Sequence, residues 1–66
     1  MKLSFIGLGV MGYPMAGFLS KSGYDVTVFN RTKSKAETWC SEFKGNYAET
    51  PRDAVHDAEM AFICVG

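Results

Sequence analysis

The chain has 66 residues, at most one small domain, and a chain of that size buries only about 60% of the surface its unfolded form exposes. Seven basic and seven acidic side chains cancel, which excludes a global field attracting nucleic acid or an anionic membrane. The two cysteines, Cys40 and Cys64, lack CxxC or Cys/His spacing, which argues against a disulfide framework or a metal site and predicts buried reduced thiols in a reducing cytosol.

Leu3-Ser4-Phe5-Ile6 is a short apolar run that stops at Gly7, the pattern of a buried parallel strand. The glycines that follow interrupt it too early for a signal peptide, and no segment is long and apolar enough to span a bilayer as a helix. A cytoplasmic location is therefore expected. Met11, Met15, Phe18 and Leu19 fall at i, i+4, i+7 and i+8, which predicts an amphipathic helix packed through that stripe. Pro14 suits its first turn, where a missing N–H breaks no intrahelical bond, and Gly23 stands where a left-handed cap belongs.

Val26-Thr27-Val28-Phe29 is β-branched and aromatic, a second strand. Ser34 and Glu37 have capping-box spacing, so a second helix is expected with Ser34 as its cap. Its apolar stripe is Ala36, Trp39, Cys40 and Phe43, and Lys44 and Gly45 close it. Tyr47-Ala48 is a candidate third strand. Thr50 and Pro51 begin another helix as cap and first position. Met60 to Val65 is a continuous apolar run, expected to be a strand covered on both faces. Strands alternating with helices at this spacing predict an α/β fold, a partial Rossmann or doubly wound parallel sheet with strand order 3-2-1-4.

Gly7-Leu8-Gly9-Val10-Met11-Gly12 is GxGxxG after a strand and opening a helix. Such glycines recur in ligand-free turns, but this context gives each a task. Gly7 makes the tight turn, Gly9 lets the backbone approach a pyrophosphate, and Gly12 allows close helix–strand packing. The helix start then offers free N–H groups and partial positive charge to the phosphates. The second strand ends in Asn30-Arg31-Thr32, where NAD sites usually place an acid for the ribose hydroxyls. A carboxylate would repel the 2′-phosphate of NADP, whereas the Arg31 fork can pair with it. Thr32 can add a hydroxyl, Lys33 or Lys35 charge, and Asn30 a hydrogen bond to the ribose. NADP is thus expected in preference to NAD.

Plainer roles compete with these. Arg31 and its lysines can form a solvated basic face, with Lys33 the first candidate for mere surface. His56, the only histidine, has no nucleophile or metal partner and reads as a helix-end surface residue. Trp39 reads as core rather than a base-stacking platform. Met11 and Met15 are expected to pack under the loop, with Met11 close enough to line the cleft.

The run from Ile6 through Gly12 to Tyr13-Pro14-Met15-Ala16, with Leu19, Gly23, Val26, Val28 and Asn30-Arg31-Thr32, resembles the start of the β-hydroxyacid dehydrogenase family. That family includes 3-hydroxyisobutyrate dehydrogenase, tartronate semialdehyde reductase and glyoxylate or succinic semialdehyde reductases. The resemblance is strong over residues 3–37 and looser to Gly66. It implies reversible NAD(P)-dependent oxidation of a small 3-hydroxy acid to its semialdehyde, by a homo-oligomeric parent protein. It also implies a pyrophosphate held by residues 7–12, and an Asn30, Arg31, Thr32 and Lys35 set similar to that of NADPH-using members. Cys64-Val65-Gly66 falls where the family's fourth strand meets the cofactor ribose, which makes Val65 a candidate contact, although Leu-Pro is commoner there than Val-Gly. The family's catalytic lysine and helical second domain have no counterpart here. Residues 1–66 therefore read as the N-terminal part of an NADP-binding Rossmann domain with no catalytic residue of its own. A non-catalytic NAD(P)-binding module is the alternative, while a flavin or S-adenosylmethionine domain would predict an acid in place of Asn30-Arg31.

Overall fold

A computed structural model describes residues 1–64; the expected contact at Val65 lies outside the described residues. Seven elements follow in order: β1 (Lys2–Ile6), α1 (Gly12–Lys21), β2 (Asp25–Phe29), α2 (Lys33–Glu42), β3 (Asn46–Tyr47), α3 (Pro51–Val55) and β4 (Met60–Ile63). The strands form one sheet in the order β3-β2-β1-β4, every pairing parallel, as the alternation predicts. Register runs Leu3 to Val26 and Phe5 to Val28 on one side, and Phe5 to Phe62 on the other. Right-handed crossovers place α1 and α2 on one sheet face and α3 on the opposite one, because the strand order, running outward from β1 to β3, crosses back to the other side of β1 for β4.

The core forms where Leu3, Phe5, Val26 and Val28 meet Ala16 of α1 and Ala36 and Trp39 of α2. Trp39 is fully buried, and its indole N–H donates to the Tyr13 carbonyl at 3.3 Å, so the polar end of the ring is satisfied inside the core. Cys40 and Phe43 pack at the margin of this cluster, so the expected stripe of α2 is the one that faces the sheet. Phe5 and Phe62 stack at 4.8 Å between centroids, which fastens the edge strand β4 to β1.

Local signals set several boundaries. Pro14 lies in the first turn of α1, and Gly23 follows the C-cap Ser22 with φ of +101°, a conformation that favours glycine. The Thr50 hydroxyl accepts from the Asp53 N–H at 3.1 Å, with Pro51 opening α3. Four expectations are corrected. First, α2 begins at Lys33 with Thr32 as its N-cap, so Ser34 is already helical. Second, α2 closes before Lys44 and Gly45, ending at Glu42 with Phe43 as its C-cap, and close packing explains Gly45, where a side chain would meet the Trp39 ring and the Val26 carbonyl. Third, β3 is Asn46–Tyr47, one residue earlier than expected.

The fourth concerns the packing faces. Met11, Met15 and Phe18 are exposed, while α1 buries Gly12 against the Gly7 carbonyl and Cys64, Ala16 in the core and Gly17 beneath the Phe43 ring, with Leu19 half-buried. Small residues let the helix backbone lie close to the strands, and this turns the larger stripe outward. Similarly, β4 is mostly exposed rather than covered on both faces, because it is the sheet edge among the described residues.

The Tyr13 hydroxyl donates to Glu42 Oε1 at 2.5 Å, tying the start of α1 to the end of α2. That bond to a carboxylate is the main cause that pushes the phenol up to about 12, aided by desolvation and by the charge of Glu42. A phenol with a raised folded-state value contributes stability that is fully present below the ordinary value near 10.0 and disappears as pH climbs to about 12. Spectrophotometric titration at alkaline pH is therefore expected to show Tyr13 ionising late. Glu42→Gln should return Tyr13 toward the ordinary phenol value near 10.0; an unmoved late ionisation would assign the shift elsewhere.

Candidate functional site

β1, β2 and β4 end together, and the glycine loop sits on their ends. The Gly7 N–H donates to the Phe29 carbonyl at 2.7 Å, and the Cys64 N–H donates to the Ile6 carbonyl at 2.9 Å. Gly7 has φ of +92°, and a Cβ there would run into the carbonyl oxygen of Cys64. Only glycine makes this turn. At Gly12 a Cβ would lie 2.9 Å from the Gly7 carbonyl oxygen and 3.2 Å from Cys64 Cβ, so the mouth of α1 is pressed against both the loop and β4.

The mouth suits an anion. α1 has no acidic residue in its first turn, and its N-cap Met11 makes no side-chain cap. The N–H groups of Gly9, Val10, Met11 and Gly12 find no acceptor among the described residues. Free donors and the positive end of the helix dipole therefore point at one place, the arrangement that binds phosphate. A diphosphate can approach here only because Gly7 and Gly9 present backbone rather than side chains.

Beside this mouth lies an open cleft of about 530 Å³. Of the residues predicted from sequence it brings together Gly7, Gly9, Asn30, Arg31, Thr32 and Lys35. Ile6, Phe29, Ile63 and Cys64 complete the lining. The other predicted residues lie elsewhere. The Leu8 side chain is fully buried in the core, and Gly12 is buried under the loop. Val10 and Met11 project into solvent at the loop tip, 88% and 69% exposed, so Met11 neither packs under the loop nor lines this cleft.

The cations divide. Lys33 turns toward β3, pairs with Glu49 at 3.0 Å and lies over the Tyr47 ring. Its hydrogen bond to Glu49 is the first cause that raises its value, but both partners are well exposed and the pair adds little to stability. No carboxylate pairs with Arg31 or Lys35 among the described residues, and both border the cleft. His56 lies at the end of α3, exposed, with its ring 3.1 Å from Asp57, a surface position as expected. Cys40 and Cys64 are free and half-buried, and burial pushes the Cys40 thiol up.

Residues 2–66 match the family described as the NAD binding domain of 6-phosphogluconate dehydrogenase. The chain belongs to that family. Its Rossmann-type sheet aligns with the structure of an imine reductase from Pseudomonas sp. at a TM-score of 0.89 and 33% identity, covering 97% of this chain and 22% of the reductase. It is 55% identical over 65 residues to an uncharacterized oxidoreductase of Shewanella frigidimarina (strain NCIMB 400), covering 98% of this chain and 22% of that protein. A probable 3-hydroxyisobutyrate dehydrogenase-like 1, mitochondrial, of Arabidopsis thaliana is 46% identical, with 98% and 19% covered. The chain thus spans about a fifth of the length of these relatives. What the match covers is an NAD-binding domain, as the resemblance in the glycine loop implies.

The tight seat of this NAD-binding domain's helix mouth gives a direct test. Gly12→Ala must displace either the Gly7 carbonyl or α1. A loss of about 1–3 kcal/mol in unfolding free energy is expected, the usual cost of overpacking, together with weaker nucleotide binding. Urea unfolding and cofactor titration of the intact protein read the two effects; a variant as stable and as tight-binding as the parent would contradict the packing.

Proposed function

We propose that this domain binds NADP, and that the protein carrying it interconverts a small 3-hydroxy acid and its semialdehyde. The observation that carries the cofactor preference is the end of β2: Arg31 stands beside the glycine loop with Lys35, and no carboxylate occupies the position after Phe29. In this reading the free N–H groups of residues 9–12 hold the diphosphate. Leu8 contributes by anchoring the loop, and Val10 and Met11 contribute through their backbone. Arg31, Lys35 and the Thr32 hydroxyl bind the phosphate on the adenosine ribose, with Asn30 next to them. Val65, the next residue in sequence after Cys64, is kept as a ribose contact on the family resemblance alone.

The bound cofactor supplies the hydride chemistry, and these residues hold it and fix its orientation. A small hydroxy acid or semialdehyde as substrate is supported by the 3-hydroxyisobutyrate dehydrogenase-like name of one relative, and a cytoplasmic setting by the composition. The acid–base group of the reaction belongs, in this reading, to residues other than these.

Arg31→Asp in the intact protein replaces an attraction to the 2′-phosphate by a repulsion. The expected result is a reversal of preference from NADPH to NADH in paired titrations, with a change in the affinity ratio of about ten- to a hundredfold, since a charged hydrogen bond is worth about 1.5–3 kcal/mol. An equal loss of both cofactors would remove Arg31 from this role. Gly9→Val should exclude the diphosphate and abolish binding of either nucleotide. Unchanged affinity in that variant would reject the loop as the diphosphate site.

A further inference from the structure

We propose that Asn30 acts as a positioning residue, a two-armed strap that holds the glycine loop and the Arg31 loop in one geometry before any nucleotide arrives. The proposal rests on the reading of this cleft as an NADP site. Asn30 Oδ1 accepts the Leu8 N–H at 3.0 Å, across 22 residues of sequence. Asn30 Nδ2 donates to the Thr32 carbonyl at 3.1 Å. One planar amide thus spans the two loops that must grip opposite ends of the adenosine diphosphate.

The chemistry selects asparagine. The Leu8 arm needs an acceptor and the Thr32 arm needs a donor, and the carboxamide offers both on a short stem. An ionised aspartate would keep the Leu8 arm but face the Thr32 carbonyl with a second acceptor. Alanine would lose both arms. The Leu8 N–H lies beside a fully buried side chain, so without the strap it would be left poorly satisfied at the base of the loop. Because Gly7 is already fixed by the Phe29 carbonyl, the Leu8 arm sets the direction in which the next free N–H groups point. The Thr32 arm sets the start of α2, from which Lys35 and the Arg31 backbone take their places. Arg31 recognises charge; Asn30 keeps the recognising group at the right distance from the diphosphate seat.

The test uses the intact protein, with amide hydrogen exchange read in the absence of nucleotide and NADH and NADPH affinities read separately. Asn30→Ala is expected to speed exchange at the Leu8 amide by about tenfold or more and to weaken both nucleotides by about tenfold, the effect of losing one hydrogen bond that orders the loop. Asn30→Asp is expected to keep the Leu8 amide protected and recover NADH affinity relative to Asn30→Ala, while NADPH stays weak. Direct hydrogen bonding of Asn30 to the ribose alone would leave Leu8 exchange unmoved in both variants, and that result overturns the strap. Unchanged NADH affinity in Asn30→Ala overturns it as well. Should Asn30→Ala fail to fold, Asn30→Asp decides alone, since an exposed Leu8 amide in that variant contradicts the acceptor arm. The NADP reading itself is judged by Arg31→Asp, so the two ideas fail on different measurements.

Discussion

The whole site depends on a turn that only a residue without a side chain can make. Gly7 leaves β1 with a positive φ while its flank lies against the carbonyl of Cys64, and its N–H is held by the end of β2. Three neighbouring strands therefore fix one backbone atom set from two sides. The helix that follows is aimed by this turn, and its free N–H groups gain their value because they converge on a place that no side chain fills. Had the loop been held by its own residues alone, those donors would turn to water and ordering them would cost free energy at each binding event. Here the sheet has already imposed the order.

The sequence made the architecture readable because each local signal agreed with the others. β-branched and aromatic runs alternated with capped helical stretches, and the order 3-2-1-4 follows from right-handed crossovers with a single reversal. Thr50, Pro51, Pro14 and Gly23 all mark boundaries through backbone chemistry that needs no tertiary information. The cleft was legible for the same reason at Gly7, Gly9, Asn30, Arg31, Thr32 and Lys35, because both loops follow strands that a parallel sheet brings side by side.

Other features were hidden by the limits of periodicity. Methionine and phenylalanine dominate any apolar stripe, so Met11, Met15 and Phe18 concealed the real contact face of Gly12, Ala16 and Gly17. Close packing by small residues leaves almost no hydrophobic signal. The acceptor role of Asn30 and the place of Cys64 beneath the helix mouth depend on register between distant strands, as in Ile6 opposite Ile63 and Phe29. A strong capping-box pattern at Ser34 lost to Thr32, which stands at the exit of β2 and starts the helix two residues sooner.

The pairing of β1 with β4 has a kinetic meaning. Leu3 and Met60 are neighbours in the sheet although α1, β2, α2, β3 and α3 all lie between them. Among the described strands this pairing closes the longest loop, an entropic cost that a hairpin-like order would avoid. β1, α1 and β2 can associate through nearer contacts, yet the wall formed by Cys64 is absent until β4 docks. A nascent chain would therefore hold its glycine turn in a loose state and acquire a rigid nucleotide seat only once β4 has joined β1.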